Sequence, residues 1–60
     1  MERRWRVYYI VIWPRYFSDW IEVSAEHKQE ALAKVAAGLD RRCTLDWKFD
    51  PAREPELVLA

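Results

Sequence analysis

The chain is poor in the residues that crosslink small domains or build phosphate loops. Its 60 residues include one cysteine, one glycine and one histidine. A single thiol cannot form a disulfide within one chain, which excludes the internal crosslink on which many domains of this size depend. Cys43 and His27 are two soft metal ligands where a structural zinc site usually needs four. Gly38 alone cannot build a glycine-rich phosphate loop. The sequence therefore predicts no metal and no cofactor.

The chain also lacks an excess of charge and a long apolar run. Its 10 basic residues balance its 10 acidic residues, so its overall field gives no reason to expect a nucleic acid or an anionic membrane as partner. The apolar run from Val7 to Trp13 is too short to span a bilayer. It ends at Pro14 without the small residues of a signal-peptide cleavage site. We therefore expect a cytoplasmic protein with no membrane partner.

No set of residues in the sequence forms a recognisable catalytic group. Catalysis needs a nucleophile with a base, a carboxylate pair or a metal in a pocket. Ser24 is better explained as a helix cap, and His27 as a solvated residue of the first helical turn. Cys43 falls at an apolar position of a strand, where a lone cysteine acts as a small apolar residue. A reactive thiol beside Arg41 and Arg42 is the less favoured alternative. The sequence predicts that the protein is not an enzyme.

Composition and length favour one small folded domain. Apolar residues make up 52% of the chain and aromatic residues 15%, with four tryptophans, far from the profile of a disordered chain. A core of this size is marginal, and tryptophans serve either such a core or a binding surface. Residues 1–51 are predicted to form the domain. Residues 52–56 are charged and interrupted by proline, so residues 52–60 are predicted to form a mobile or docking tail.

Three segments have the patterns of strands. Residues 5–13 are almost all β-branched or aromatic, and from Val7 onward both faces are apolar, which is typical of a central strand. Residues 13–16 contain Pro14 and predict a reversal. Residues 17–23 then form the second strand of an antiparallel hairpin. Residues 42–50 alternate strictly between apolar and polar positions, which predicts a third strand with one wet face.

A helix is predicted over residues 25–37. Ser24 is placed to act as its N-cap, and Gly38 stands where a left-handed residue commonly ends a helix. Glu30 and Lys34 are spaced to form an ion pair on the solvent side. The apolar stripe consists of Leu32, Val35, Ala36 and Leu39.

These elements predict an α+β fold of the ββαβ type. The right-handed crossover rule favours a three-stranded, mostly antiparallel single-layer sheet of order 2-1-3, with the helix on one face. Residues 57–59 are apolar enough to add a short fourth strand at the C-terminus. Residues 20–25 running into residues 30–35 resemble the strand-to-helix passage of many small ββαβ proteins, including ribosomal and virus-encoded ones. This stretch contains no functional motif, so the resemblance assigns no residue roles.

The functional hypothesis follows from the doubly apolar first strand. One helix covers one face of a sheet, so whichever set of strand-one residues faces it, the other set faces away. If Val7, Tyr9 and Val11 face the helix, an apolar patch remains on the opposite face, unless residues 52–60 fold back and cover it. Such patches usually mark interaction surfaces. The candidate partner-binding residues are Tyr8, Ile10, Ile12, Tyr16, Trp20 and Arg42.

Two functions fit this surface. The leading hypothesis is a small non-catalytic protein-binding module that acts as an adaptor, inhibitor or regulator and binds another protein or a second copy of itself through the sheet face or a strand edge. A virus-encoded inhibitor is one concrete version. The alternative is a single-strand nucleic-acid-binding module, in which aromatic rings stack on bases and Arg4, Arg6 and Arg42 follow phosphates. Glu22 and Asp46, expected on the same face, repel phosphate and place this function second.

Overall fold

The computed structural model of the chain describes residues 1–41 and 45–58. In chain order these residues form strands β1 and β2, helix α1, and strands β3 and β4. Their bounds are Arg3–Trp13 for β1, Phe17–Ala25 for β2, Lys28–Asp40 for α1, Asp46–Phe49 for β3 and Glu56–Leu57 for β4. The predicted element order is confirmed. Residues 42–44, which include the predicted strand residue Cys43 and the predicted site residue Arg42, lie outside the described residues.

Strand β1 lies at the centre of the sheet, as its apolar pattern predicts. β2 pairs with one edge of β1, antiparallel, with Val7 opposite Ile21. β3 pairs antiparallel with the other edge, with Ile10 opposite Lys48. The order β2-β1-β3 confirms the topology inferred from the crossover rule. The predicted reversal is also present, since the chain bends at residues 14–15 after a cis Trp13–Pro14 peptide.

Strands β3 and β4 lie end to end along the same edge of β1. The Asp50 N–H donates a hydrogen bond to the Tyr8 carbonyl (3.2 Å), and the Val58 N–H donates one to the Arg4 carbonyl (3.0 Å). Residues 51–55 leave the edge between these two points. Pro51 and Pro55 have no N–H to give to a ladder, which explains why the strand breaks here and resumes. The predicted fourth strand is confirmed.

Helix α1 begins three residues later than the sequence predicts. Ser24 is not its N-cap, because it lies in β2 opposite Arg4. The N-cap residue is His27, which makes no side-chain capping hydrogen bond. Gly38 lies inside the helix, and no described glycine has a positive φ. Two tertiary contacts override these capping preferences. The pairing of β2 with β1 keeps Ser24 in the sheet, and continuing the helix past Gly38 buries Leu39 to 1% exposure.

The core lies between α1 and the sheet. It also decides which face of β1 is covered, since Val7, Tyr9 and Val11 are buried beneath the helix. Ala31 is buried although the sequence did not place it in the apolar stripe, whereas Leu32 and Ala36 are only half-buried. The complete set of buried residues in the described chain is Val7, Tyr9, Val11, Ala25, Ala31, Val35 and Leu39.

Two of the four tryptophans are structural. Trp5 is partly buried against the core and donates its indole N–H to the Ala25 carbonyl (3.0 Å). Trp47 packs on the core from β3, donates its indole N–H to Asp40 Oδ1 (3.0 Å) and meets the Phe49 ring edge-to-face, with 4.9 Å between ring centroids. These contacts tie the outer strand and the end of the helix to the sheet, as large amphipathic rings commonly do.

Candidate functional site

The side of the sheet that faces away from α1, called here the open face, has no helix over it. Successive residues of a strand point to opposite sides. Because Val7, Tyr9 and Val11 point toward the helix, the even-numbered residues of β1 point away from it. The open face therefore consists of the cross-strand pairs Arg4–Ser24, Arg6–Glu22, Tyr8–Trp20 and Ile10–Ser18, followed by Ile12. β3 adds Asp46 and Lys48, which are exposed while Trp47 and Phe49 pack on the core.

The half of the open face nearest the β1–β2 turn is apolar. Ile12 is 40% exposed and Trp20 is 46% exposed, while Tyr8 and Ile10 are half-buried. Tyr16, 73% exposed, lies beside the turn at the end of this face. The structure thus brings together all five described residues of the predicted binding set. The sixth, Arg42, lies outside the described part of the chain.

Two further aromatic residues extend this surface around the end of the hairpin. Trp13 is 61% exposed and Phe17 is 44% exposed. We call the group of Ile12, Trp13, Tyr16, Phe17 and Trp20 the hairpin-end patch. If a fully exposed side chain of this size presents about 200–250 Å², these fractions amount to roughly 500–650 Å². Phe17 pairs with Val11 and therefore lies on the helix side of the sheet, so this total spans both sides of the hairpin end, whereas the largest single apolar patch of a monomer usually measures about 300–600 Å².

The sequence analysis missed Trp13 and Phe17. It assigned Trp13 to a covered strand and Phe17 to the start of the next one. A signal was present, because large apolar side chains stand on both sides of Pro14. A tight turn at the end of a long hairpin leaves such flanking residues beyond the reach of one 13-residue helix.

The other half of the open face is charged, and its two arginines pair with Glu22 of the same chain. Glu22 accepts hydrogen bonds from Arg6 at 2.8 and 3.3 Å, and its second oxygen lies 3.5 Å from Arg4. The Arg6 guanidinium also lies over the Trp20 ring, 4.3 Å from its centroid, at cation–π distance. The hydrogen bonds to Glu22 and then to Tyr8 raise the pKa of Arg6. Both arginines of this half are therefore already engaged.

The C-terminal segment does not seal the open face within the described residues. Arg53 reaches over the face, with its guanidinium 5.3 Å from the Tyr8 ring centroid and 4.0 Å from Asp50. Residues 56–57 instead extend the edge of the sheet. Ile12 and Trp20 stay exposed, so the fold-back that would cover the apolar half is not formed by residues 52–58.

The described chain offers a shallow pocket at the charged end of the sheet. It has a volume of about 290 Å³ and is lined by Arg6, Glu56, Leu57 and Val58. Ligand sites are usually larger, about 300–1,000 Å³, and mostly apolar. The described residues contain no group of three or more histidine, cysteine or acidic side chains placed to hold a metal ion. One of its lining residues, Arg6, also lies over the Trp20 ring of the hairpin-end patch.

The chain matches no protein-family model, no curated protein and no solved structure. Nor does the described part of the chain contain a helix long and apolar enough to cross a membrane.

Proposed function

We propose that this protein is a non-catalytic binding module that binds a protein partner, either another protein or a second copy of itself, through its hairpin-end patch and the adjoining apolar half of its open face. The observation that carries the proposal is the position of five large apolar side chains, each 40–73% exposed, at one end of the hairpin. Exposed aromatic residues of this kind are enriched at protein interfaces. Burying them against a partner removes roughly 500–650 Å² of surface from water.

The charges around the patch indicate the kind of partner. Two basic residues, Arg15 and Lys48, and two acidic residues, Asp19 and Asp46, are exposed beside it. None of the four forms an ion pair with a described residue. This balanced rim gives no net attraction to a polyanion or a polycation. It favours a protein recognised by apolar burial and by local charge pairs.

The outer edge of β2 is less suited than the face to receive a partner. The Arg4 and Tyr8 carbonyls of β1 point toward β4 and β3, so the even-numbered residues of β1 direct their backbone groups away from β2. Their partners in the antiparallel ladder are the even-numbered residues of β2, which direct their own backbone groups away from β1. The backbone groups on the outer edge of β2 therefore belong to its even-numbered residues. Of these groups, the Trp20 N–H donates to the Asp19 carboxylate (2.8 Å), and the Ser24 carbonyl accepts from the Lys34 ammonium. Charged side chains at an edge are a common defence against strand addition.

Single-strand nucleic-acid binding has less support as an alternative. It needs free cations and free ring faces. Glu22 occupies Arg4 and Arg6, and Arg6 itself lies over the Trp20 ring. A phosphate backbone has to compete with these contacts, and no described observation favours this function over protein binding.

The proposal is tested by affinity capture with three baits: the wild-type chain, an I12S/W20N variant and an L57N control. Leu57, in β4, is as exposed (42%) as Ile12 but lies outside the patch. We expect the wild type and the control to capture the same partner, and the double variant to bind it at least about tenfold more weakly, since interface anchors commonly contribute that much. Circular dichroism checks that each bait is folded. Equal capture by all three baits contradicts the proposal.

A further inference from the structure

We propose that the partner of the open face is a second copy of this chain, packed face to face about a two-fold axis. This inference rests on the proposed function and names its partner. The described chain buries seven residues, a small core for a sheet with two apolar sides. A second copy covers the open half of β1 and gives the sheet a second core, as in two-layer sandwiches, where sheets pack about 10 Å apart.

The apolar half of the open face is complementary to itself. On β1, Ile10 and Ile12 occupy consecutive positions of this face. On β3, Lys48 lies opposite Ile10, and Asp46 lies one step further, opposite Trp13. A two-fold axis that crosses the strands at the level of the Val11–Trp47 pair exchanges these two levels. It places Ile10 of one copy on Ile12 of the other, and Lys48 of one copy against Asp46 of the other.

The same axis also places the remaining side chains of the open face in favourable surroundings. It carries Trp20 over the turn at Pro14 of the second copy, so that an aromatic ring covers an apolar turn. The charged half, with Arg4, Arg6 and Glu22, falls outside the overlap, and Glu22 already pairs with both arginines within the chain.

Other positions of the axis are unfavourable. An axis parallel to β1 places Glu22 over Glu56 of the second copy, since both residues pair with Arg6 from opposite sides. An axis across the strands at Ile10 places the two Lys48 side chains together. Like charges that meet at an interface disfavour it. Charge complementarity therefore favours the Val11–Trp47 level over these two positions.

The exposed area of the apolar half of the open face sets the expected affinity of the dimer. Ile12, Tyr16 and Trp20 offer roughly 300–400 Å² per copy, and the half-buried Tyr8 and Ile10 add to it. A standard interface takes about 800 Å² from each partner. We therefore expect a weak dimer that forms within the micromolar range and dissociates on dilution.

The test is sedimentation of the full chain from low micromolar to near-millimolar concentration, with charge-reversed variants. We expect Lys48→Glu and Asp46→Lys each to weaken the dimer by about tenfold, since each places like charges at two points of the interface. The double variant K48E/D46K, and an equimolar mixture of the two single variants, should recover wild-type association. Both residues are exposed on the face, so the substitutions leave the core intact, which circular dichroism checks.

Three outcomes overturn the dimer: a monomer at every concentration, single variants that associate like the wild type, or no recovery in the mixture. If the chain is monomeric while capture still depends on Ile12 and Trp20, only the identity of the partner is wrong. If neither self-association nor patch-dependent capture is observed, the proposed function fails as well.

Discussion

Glu22 holds two arginines of the neighbouring strand with one carboxylate. Its Oε2 lies 2.8 Å from Arg6 and its Oε1 lies 3.5 Å from Arg4. A count of charges in the sequence treats these arginines as free to meet phosphate, whereas the cross-strand register commits them to Glu22. The raised pKa of Arg6, which this carboxylate causes in the first place, means that the stabilisation from this contact is lost only as strongly alkaline pH rises through that pKa.

The engagement of these arginines leads to a prediction about nucleic acid. We expect the wild-type chain to bind single-stranded DNA negligibly at low salt. Glu22→Gln, which removes the neutralising charge, should bind it more tightly, with an affinity that falls as salt is added by about 0.7 log units per log unit of salt for each phosphate contacted. Fluorescence anisotropy measures both.

The control for this prediction is Glu54→Gln, which makes the same change of charge in the exposed 51–55 segment, away from Glu22. It should bind DNA no better than the wild type. Steep, salt-dependent binding by the wild-type chain itself favours the nucleic-acid function over protein binding.

Leu39 is the largest fully buried side chain of the described core. Leu39→Ala should lower the free energy of unfolding by about 2–5 kcal/mol, because it removes buried methyl groups and leaves a cavity. In a domain this small the variant should be largely unfolded at room temperature. Urea unfolding at low protein concentration measures the change.

The matched substitution for Leu39 is Leu57→Ala, at a leucine that is 42% exposed. It should lower the free energy of unfolding by less than about 1 kcal/mol. Equal losses in the two variants contradict the location of the core.

At the scale of the element, helix α1 shows how tertiary contacts override local signals. Ser24 and Gly38 are good capping residues by type, yet the helix runs Lys28–Asp40. The burial of Leu39 is worth more than one cap, and Ser24 lies in β2 opposite Arg4. Capping preferences reflect the conformational energy of a short segment of chain. They therefore do not include the energy of a contact with a distant strand.

A substitution at Gly38 distinguishes a helix that continues through this residue from a helix that ends there, because the two predict opposite changes in the free energy of unfolding. A Cβ at this position meets nothing within 4 Å, and the backbone is helical rather than left-handed. Gly38→Ala should raise the free energy of unfolding by up to about 1 kcal/mol, because alanine loses less backbone entropy in a helix. In a helix that ends at Gly38 with a positive φ, as the sequence predicts, the same substitution lowers the free energy of unfolding, because alanine is strained at positive φ.

The control is Ala37→Gly at the neighbouring exposed helical position. It should lower the free energy of unfolding by a similar amount. Urea or thermal unfolding of both variants decides the matter, and a destabilising Gly38→Ala contradicts the position of the helix.

At the scale of the whole molecule, one helix serves a sheet whose central strand is apolar on two sides. Over half of the open face the uncovered side of the sheet is polar, and Glu22 pairs there with both Arg4 and Arg6. Over the other half Ile12 and Trp20 are exposed. The molecule is therefore polar at one end and apolar at the hairpin end, which favours a partner at one place only.

A dimer through this face links stability to concentration. The apparent melting temperature of the wild-type chain should rise with protein concentration, because association stabilises the folded state by mass action. Lys48→Glu should melt at a temperature that changes little over the same range. Calorimetry or circular dichroism measures both series. A wild-type melting temperature independent of concentration, in the range where sedimentation detects a dimer, contradicts the link between association and folding.

The amino-acid sequence by itself determined the order of the elements, the central place of β1, the sheet order and the presence of an apolar surface. These follow from periodicity and chain chirality, which are local properties. It predicted five residues of the proposed binding surface but not Trp13 and Phe17. Only the tertiary structure decided where α1 begins, which side of β1 it covers, and that Glu22 engages Arg4 and Arg6, because each depends on residues far apart in the chain meeting in space.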